Sequence, residues 1–239
     1  MIGLFPEGFE EREDADALEL AAYTERADAA RLLETLGPVR ELEVVAGWED
    51  AWRRFHRPVR VGPLWIGPSW EAPDDDAIAI VVDPGRAFGT GAHATTRLCL
   101  ELLVELEPTS LVDVGCGSGV LAVAAAKLGF APVIALDHDE AAIESARANA
   151  AANGVEVDVR LADVAGAVLP HVAAAVANIA REPVERFAER FEGRLVVASG
   201  YLVEERPAPA GWRIAERRVA DGWASDLLVR DGDRYAGVG

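Results

Sequence analysis

Lysine is almost missing from this 239-residue chain. Lys127 is the single lysine, and the other 22 of its 23 basic residues are arginine. Set against 41 acids, they leave a formal net charge of −18. A surface so short of cations does not track nucleic-acid phosphates, which takes clustered Lys and Arg to displace counterions. It is also unsuited to anionic lipid headgroups. The scarcity of lysine beside abundant alanine is the composition expected of a GC-rich genome. Cysteine is nearly as rare: Cys99 and Cys116 are too few for a disulfide framework and stand in no metal-ligand spacing, so no metal is expected. No apolar run reaches the roughly 20 residues of a membrane span. Met1–Glu7 lacks the basic start and long apolar stretch of a signal peptide, so a cytoplasmic protein is expected. Repeats and low-complexity tracts are missing too.

What is present is material for a core. Hydrophobic residues make up 51% of the chain, which rules out wholesale disorder, and the length suits one or two domains of about 150 residues. The charge is uneven. Residues 1–83 hold 19 acids and 8 bases, net −11, whereas residues 84–239 hold 22 acids and 15 bases, net −7.

The first third reads as a small α+β unit. A strand is expected over Ala17–Thr24, a helix over Arg26–Leu36 ended by Gly37-Pro38, a strand over Val39–Val45 and a short amphipathic helix over Trp48–Phe55. Strands at Val59–Ile66 and Ala77–Val82 follow, punctuated by prolines and the turn Asp74-Asp75-Asp76. From about residue 95 strands and helices alternate. Helices are expected at Thr95–Glu107, Gly119–Leu128, Glu140–Asn153 and Pro183–Phe191. Strands are expected at Leu111–Val114, Val133–Leu136, Val155–Leu161, Ala173–Ala177 and Leu195–Ala198. Gly211–Ala220 and Ser225–Arg230 flank Asp221-Gly222 and read as a hairpin. Such alternation gives a parallel sheet with helices on both faces, here with an antiparallel edge, and ligands bind beyond the carboxyl ends of its strands.

Chemistry concentrates in five places. Asp113-Val114-Gly115-Cys116-Gly117-Ser118-Gly119 follows a strand and opens a helix. Its glycines allow a tight turn and close approach of backbone to a ligand. Their spacing is tighter than the Gly-x-Gly-x-x-Gly of dinucleotide binders. With Asp113 ahead of it, this spacing suits a cationic or zwitterionic ligand without phosphate, S-adenosyl-L-methionine above all. Asp113, Gly115, Gly117 and Gly119 are therefore cofactor candidates, the alternative being an ordinary glycine-rich turn. Asp137 ends the next strand, where a carboxylate can accept from both ribose hydroxyls; Asp139 is the better cap for the helix that follows. Asn178 ends a later strand, where its amide could sit over the transferred methyl or hold the amino-acid end of the cofactor, or simply form a turn. Phe88-Gly89-Thr90-Gly91-Ala92-His93-Ala94-Thr95-Thr96 is either a hinge or a ligand loop, with His93 a possible proton acceptor or a structural residue. Asp163 is placed to bind an adenine amine or to make a turn.

Taken together, Phe88-Gly89-Thr90-Gly91-x-His93-x-Thr95-Thr96, Asp113-x-Gly115-Cys116-Gly117-Ser118-Gly119, Asp137-His138-Asp139 and Ala177-Asn178-Ile179 resemble the methyltransferases that modify large-subunit ribosomal protein L-eleven (L11). Trp65–Trp70 and Trp48–Phe55 resemble that family's linker, and the resemblance spans roughly residues 40–230. It implies a Rossmann-like class I methyltransferase sheet (α/β) with a terminal antiparallel hairpin and a shortened N-terminal α+β domain. The implied divisions are residues 1–47 for substrate recognition, 48–76 for the linker and 77–239 for the catalytic domain. The resemblance puts Thr96, Gly115, Asp137 and Asn178 on S-adenosylmethionine and makes Phe88, Gly89 and Thr90 a loop closing over it. It implies methylation of lysine side chains and the N-terminal amine of a basic ribosomal protein. Asn178 and His93 are the catalytic candidates. Relative to the family, a covering helix after Ser199-Gly200 is expected to be lost. Ile179-Ala180-Arg181 lacks the Pro and aromatic typical of nucleic-acid amino methyltransferases, so no nucleic-acid substrate is expected. A methyltransferase of another protein or of a small metabolite would share the cofactor residues. A nicotinamide-dependent oxidoreductase would want the wider glycine spacing, and a non-enzymatic protein could keep the pocket alone.

Overall fold

The first element is one that hydropathy hides. Glu10-Glu11-Arg12-Glu13-Asp14 carries no apolar residue, yet it is strand β1 (Glu10–Asp14), paired antiparallel with β2 (Ala17–Ala21) across a two-residue connection. The register sets Arg12 opposite Glu19. The computed structural model describes residues 10–14, 17–21, 57–82 and 93–233. The helices expected at Arg26–Leu36 and Trp48–Phe55, the strand at Val39–Val45 and the loop with Phe88, Gly89 and Thr90 lie outside them. The chain divides into two compact units, Met1–Trp52 and Arg53–Gly239.

The second unit begins with a three-stranded sheet. The strand expected over Val59–Ile66 is two strands, β3 (Val59–Val61) and β4 (Leu64–Gly67), because Gly62, at φ +52°, and Pro63 turn the chain back on itself. Strand β5 (Ile78–Val81) joins parallel to β4. Val61, Leu64, Ile66, Ile80 and Val82 are buried in one core with Leu100 and Leu103. Residues 57–76, expected as linker, are thus packed into the same unit as the catalytic sheet.

Helix α1 (Ala94–Glu105) buries Leu98, Leu100, Leu102 and Leu103, each leucine contributing about 1.5–3 kcal/mol on burial. Strand β6 (Leu111–Val114) then leads into α2 (Val120–Lys127), an Ala- and Val-rich helix buried from Val120 to Ala125. Next come β7 (Val133–Asp137), α3 (Glu140–Ala152), β8 (Asp158–Leu161), β9 (Ala174–Asn178), α4 (Arg181–Arg190) and β10 (Leu195–Leu202). The hairpin β11 (Trp212–Ala220) and β12 (Trp223–Arg230) closes the edge. Its turn, Asp221-Gly222, has φ +52° and +77°, the left-handed pair of a type I′ turn. No helix intervenes between β10 and β11.

The seven-stranded sheet runs β11-β12-β10-β9-β6-β7-β8, parallel from β10 to β8 and antiparallel at β12 and β11. Both faces are buried, so its inner strands read as near-continuous apolar runs. Along β9, Ala174 and Val176 join the core under α1, α2 and α3, while Ala175 and Ala177 join the core with Phe187, Phe191 and Trp212. The strand order reverses at β6, whose successors go one way to β7 and the other to β9. That switch point is where an open sheet leaves a crevice at its carboxyl edge.

Candidate functional site

The crevice holds a cavity of about 740 Å³, within the range of small-molecule sites, roughly 300–1,000 Å³. Its floor is the turn after β6. The N–H groups of Gly115 and Cys116 both donate to the Leu136 carbonyl, at 2.8 and 3.0 Å, which pins the turn beside the end of β7. Gly115 has φ +69°, and a Cβ there would stand 2.6 Å from Ile179 Cγ2, so only glycine fits under the residue that follows β9. Gly117 lines the cavity as well, and its N–H donates to Asp137 Oδ2 at 2.9 Å.

Asp137 is the last residue of β7 and is nearly buried. Its Oδ1 accepts from the Asp139 N–H at 3.1 Å, so two backbone donors fix the carboxylate at the cavity wall. Asp139 caps α3 by accepting from the Ala141 N–H at 3.0 Å. Across the cavity, Asn178 ends β9, and its Nδ2 donates to Thr96 Oγ1 in the first turn of α1 at 3.4 Å. Asp163, after β8, also lines the cavity, with Oδ1 accepting from the Ala165 N–H. Six of the sequence-derived residues therefore meet in one place: Thr96, Gly115, Gly117, Asp137, Asp163 and Asn178.

Three do not line it. Asp113 lies beneath the turn, 1% exposed, and its Oδ2 accepts from the Ala122 N–H at 3.0 Å. Ala122 is in the first turn of α2, whose cap residue, Gly119, has no side chain to offer. Asp113 thus caps α2 from six residues upstream and is not among the residues that line the cavity. Burial pushes its carboxyl up to about 7, the charge of Asp137 adding to the rise and the Ala122 N–H opposing it. Gly119 is a packing residue: a Cβ there would lie 2.8 Å from Ala146 Cβ, so it lets α2 and α3 meet. His93 is the N-cap of α1. Its Nδ1 accepts from the Thr95 N–H at 3.3 Å, and its ring meets Trp223 edge-on at 5.1 Å. Burial, then the Arg97 charge, lowers its pKa and favours the neutral imidazole.

Further walls come from the glycine turn itself, from the loop after β8 and from α4. Cys116 lines the cavity, but burial first, then Asp113 and Asp137, raise its thiol far above the usual range, so it stays protonated. Val164, Ala165, Phe187, Arg186 and Arg190 come from the loop after β8 and from α4. Both arginines are already engaged: Arg186 Nη1 donates to Glu182 Oε1 at 3.0 Å, and Arg190 donates to backbone carbonyls. Asp137, Asp139, Asp163 and Glu189 also line the wall. These four carboxylates outnumber the two arginines, and the net negative lining disfavours a pyrophosphate and suits a ligand carrying positive charge.

A family model described as ribosomal protein L11 methyltransferase (PrmA) matches residues 9–223. The ribosomal protein L11 methyltransferase of Pseudomonas putida (strain W619) is 40% identical over 232 residues, covering 92% of this chain and 76% of the relative. That of Symbiobacterium thermophilum is 41% identical over 199 residues, covering 77% and 66%. Among solved structures, the ribosomal protein L11 methylase of Lactobacillus delbrueckii subsp. bulgaricus aligns with a TM-score of 0.65 at 30% identity, over 73% of this chain and 99% of that one. A tRNA (uracil-54, C5)-methyltransferase of Pyrococcus abyssi, solved with S-adenosyl-L-homocysteine, shares the fold at a TM-score of 0.51 and 17% identity, over 73% of this chain and 44% of that one.

Proposed function

The chain belongs to the ribosomal protein L11 methyltransferase family, enzymes that use S-adenosyl-L-methionine, and we propose that it methylates amino groups of L11, lysine side chains and the N-terminal amine. The observation that carries this reading is the meeting of Thr96, Gly115, Asp137 and Asn178, from four separate elements, on one cavity.

The residues fit the cofactor. Gly115 and Gly117 present a floor without Cβ atoms, Asp137 offers an oriented carboxylate to a pair of hydroxyls, and the acidic walls suit a sulfonium and an ammonium. When bound, S-adenosylmethionine supplies a methyl already activated on sulfur, so the protein's task is to position and desolvate the partners. Thr96 and Asn178 hold one another. With Nδ2 committed to Thr96, Asn178 has its Oδ1 left as an acceptor, a group able to orient an incoming amine. The attacking amine must be neutral, although a lysine in water has a pKa near 10.4. The apolar walls of Val120, Leu121 and Phe187 favour that neutral form, and solvent takes the proton. No dedicated base is assigned, and His93 serves as a cap.

The acidic first third supports a basic protein target through complementary potential, with the Met1–Trp52 unit as its recognition part. Protein rather than nucleic acid as substrate is supported by Ile179-Ala180-Arg181 after Asn178. Among the described residues no helix is long and apolar enough to cross a membrane, and a cytoplasmic site of action belongs to the same proposal. The test is transfer of labelled methyl into fractionated ribosomal proteins. Label on the L11 band supports the reading, and a protein fraction without label defeats it.

A further inference from the structure

Helix α4 ends in a side chain that reaches across to another segment. Arg190 donates from Nη1 to the carbonyl oxygens of Val164 at 2.7 Å and Ala165 at 2.8 Å, and from Nη2 to that of Ala167 at 2.6 Å. These carbonyls belong to the loop after β8, which also folds back on Asp163. The Asp163 Oδ1 accepts from the Ala165 N–H, and its carbonyl accepts from the N–H groups of Gly166 at 3.1 Å and Ala167 at 2.9 Å. Asp163, Val164, Ala165 and Arg190 all line the cavity.

Besides these bonds the loop has a modest apolar hold: Val164, and Leu169 just beyond it, pack partly buried against the core that contains Phe187 and Phe191. Ala165 and Ala167 offer only methyl groups, Gly166 has no side chain, and the next residue, Val168, is 94% exposed. Three carbonyl dipoles converging within four residues repel one another unless a cation stands among them. A guanidinium, with five donors in a rigid plane, answers that geometry in a way a point charge does not. Arg186, one turn earlier, makes no such contact and pairs instead with Glu182 on the exposed face of α4.

We propose that Arg190 is a positioning residue for the cofactor, acting through the 163–167 loop. The loop follows β8, three strand positions from β9 and so about 14 Å from Asn178 across the sheet edge. It forms the wall beyond Asp137, at the end of the cavity away from the methyl-transfer pair Thr96 and Asn178. By holding that wall in place before binding, Arg190 removes an ordering cost from cofactor association. Because the wall does not touch the reacting end, ground state and transition state gain equally, and the benefit lies in KM, not kcat.

This rests on the reading of the cavity as the cofactor site, and the test separates the two. S-Adenosylhomocysteine is titrated calorimetrically into the full chain and into Arg190→Gln, Arg190→Lys and Asp137→Ala. Steady-state methyl transfer is followed for the arginine variants. Arg190→Gln is expected to raise Kd and the cofactor KM about ten-fold with kcat within two-fold, and Arg190→Lys to recover part of the loss. Kd within two-fold of wild type for Arg190→Gln, with affinity lost in Asp137→Ala, overturns the clamp alone. So does a fall in kcat at unchanged KM. If Asp137→Ala also binds normally, the cofactor-site reading falls and takes the clamp with it.

Discussion

Asp113 and Asp137 are two carboxylates at the carboxyl ends of neighbouring strands, and the structure uses them in opposite ways. Each accepts a hydrogen bond from the backbone of the turn–helix segment that follows β6: Asp137 from the Gly117 N–H, Asp113 from the Ala122 N–H. Asp137 grips it from the cavity side, where its carboxylate stays at the wall. Asp113 grips it from below, sealed in the core. The glycines divide in the same way, Gly115 making room for a ligand floor and Gly119 for a neighbouring helix. The Asp-x-Gly-x-Gly-x-Gly pattern therefore encodes a binding surface and its support together.

Substitutions can pull these two layers apart. Gly115→Asp places a side chain against Ile179 and a charge in the floor. Cofactor affinity is expected to fall at least 100-fold, about 2.7 kcal/mol, by calorimetry. Gly119→Ala is expected to lower stability by about 1–3 kcal/mol in denaturant titrations, from overpacking against Ala146, while cofactor Kd of the folded protein stays within three-fold. Asp113→Asn keeps an acceptor for Ala122 but removes the titration. The folded pKa of Asp113, about 7, lies above its unfolded value near 3.9, so its contribution to stability is full below pH 4 and is lost as pH rises through 7. Wild type should therefore shed stability across that window, by on the order of 1 kcal/mol per pH unit, and Asp113→Asn should lack this slope. The smallest effect belongs to His93→Ala: loss of the α1 cap costs about 1 kcal/mol in thermal unfolding, with kcat within two-fold. A larger kcat loss would return His93 to the chemistry.

Sequence periodicity carried most of the catalytic sheet, because strands buried on both faces and helices stopped by glycine leave strong local signals. The strands beginning at Leu111, Val133 and Leu195 start where their apolar runs do, and Asp139 caps α3 as its position suggested. β1 leaves no hydropathy signal, because its sequence is wholly polar and its pairing comes from a hairpin. The three-stranded sheet from Val59 leaves a weaker local signal because its burial depends on Leu100 and Leu103, some 40 residues away. In the site, the residues at strand ends were legible. Arg190, Val164 and Phe187 were not, since their roles arise only when α4 and the loop after β8 meet in space. Asp113 and Gly119 carried a genuine signal whose cause lay below the cavity.

We propose that the cavity at the β6 switch point binds S-adenosylmethionine through Asp137 and not through Asp113. The direct measurement is the Kd of S-adenosylhomocysteine for wild type, Asp137→Ala and Asp113→Asn, by calorimetry on folded protein at one pH. The expected result is a loss of about 100-fold or more for Asp137→Ala and a change within three-fold for Asp113→Asn. Equal affinity in all three proteins, or a loss confined to Asp113→Asn, would contradict it.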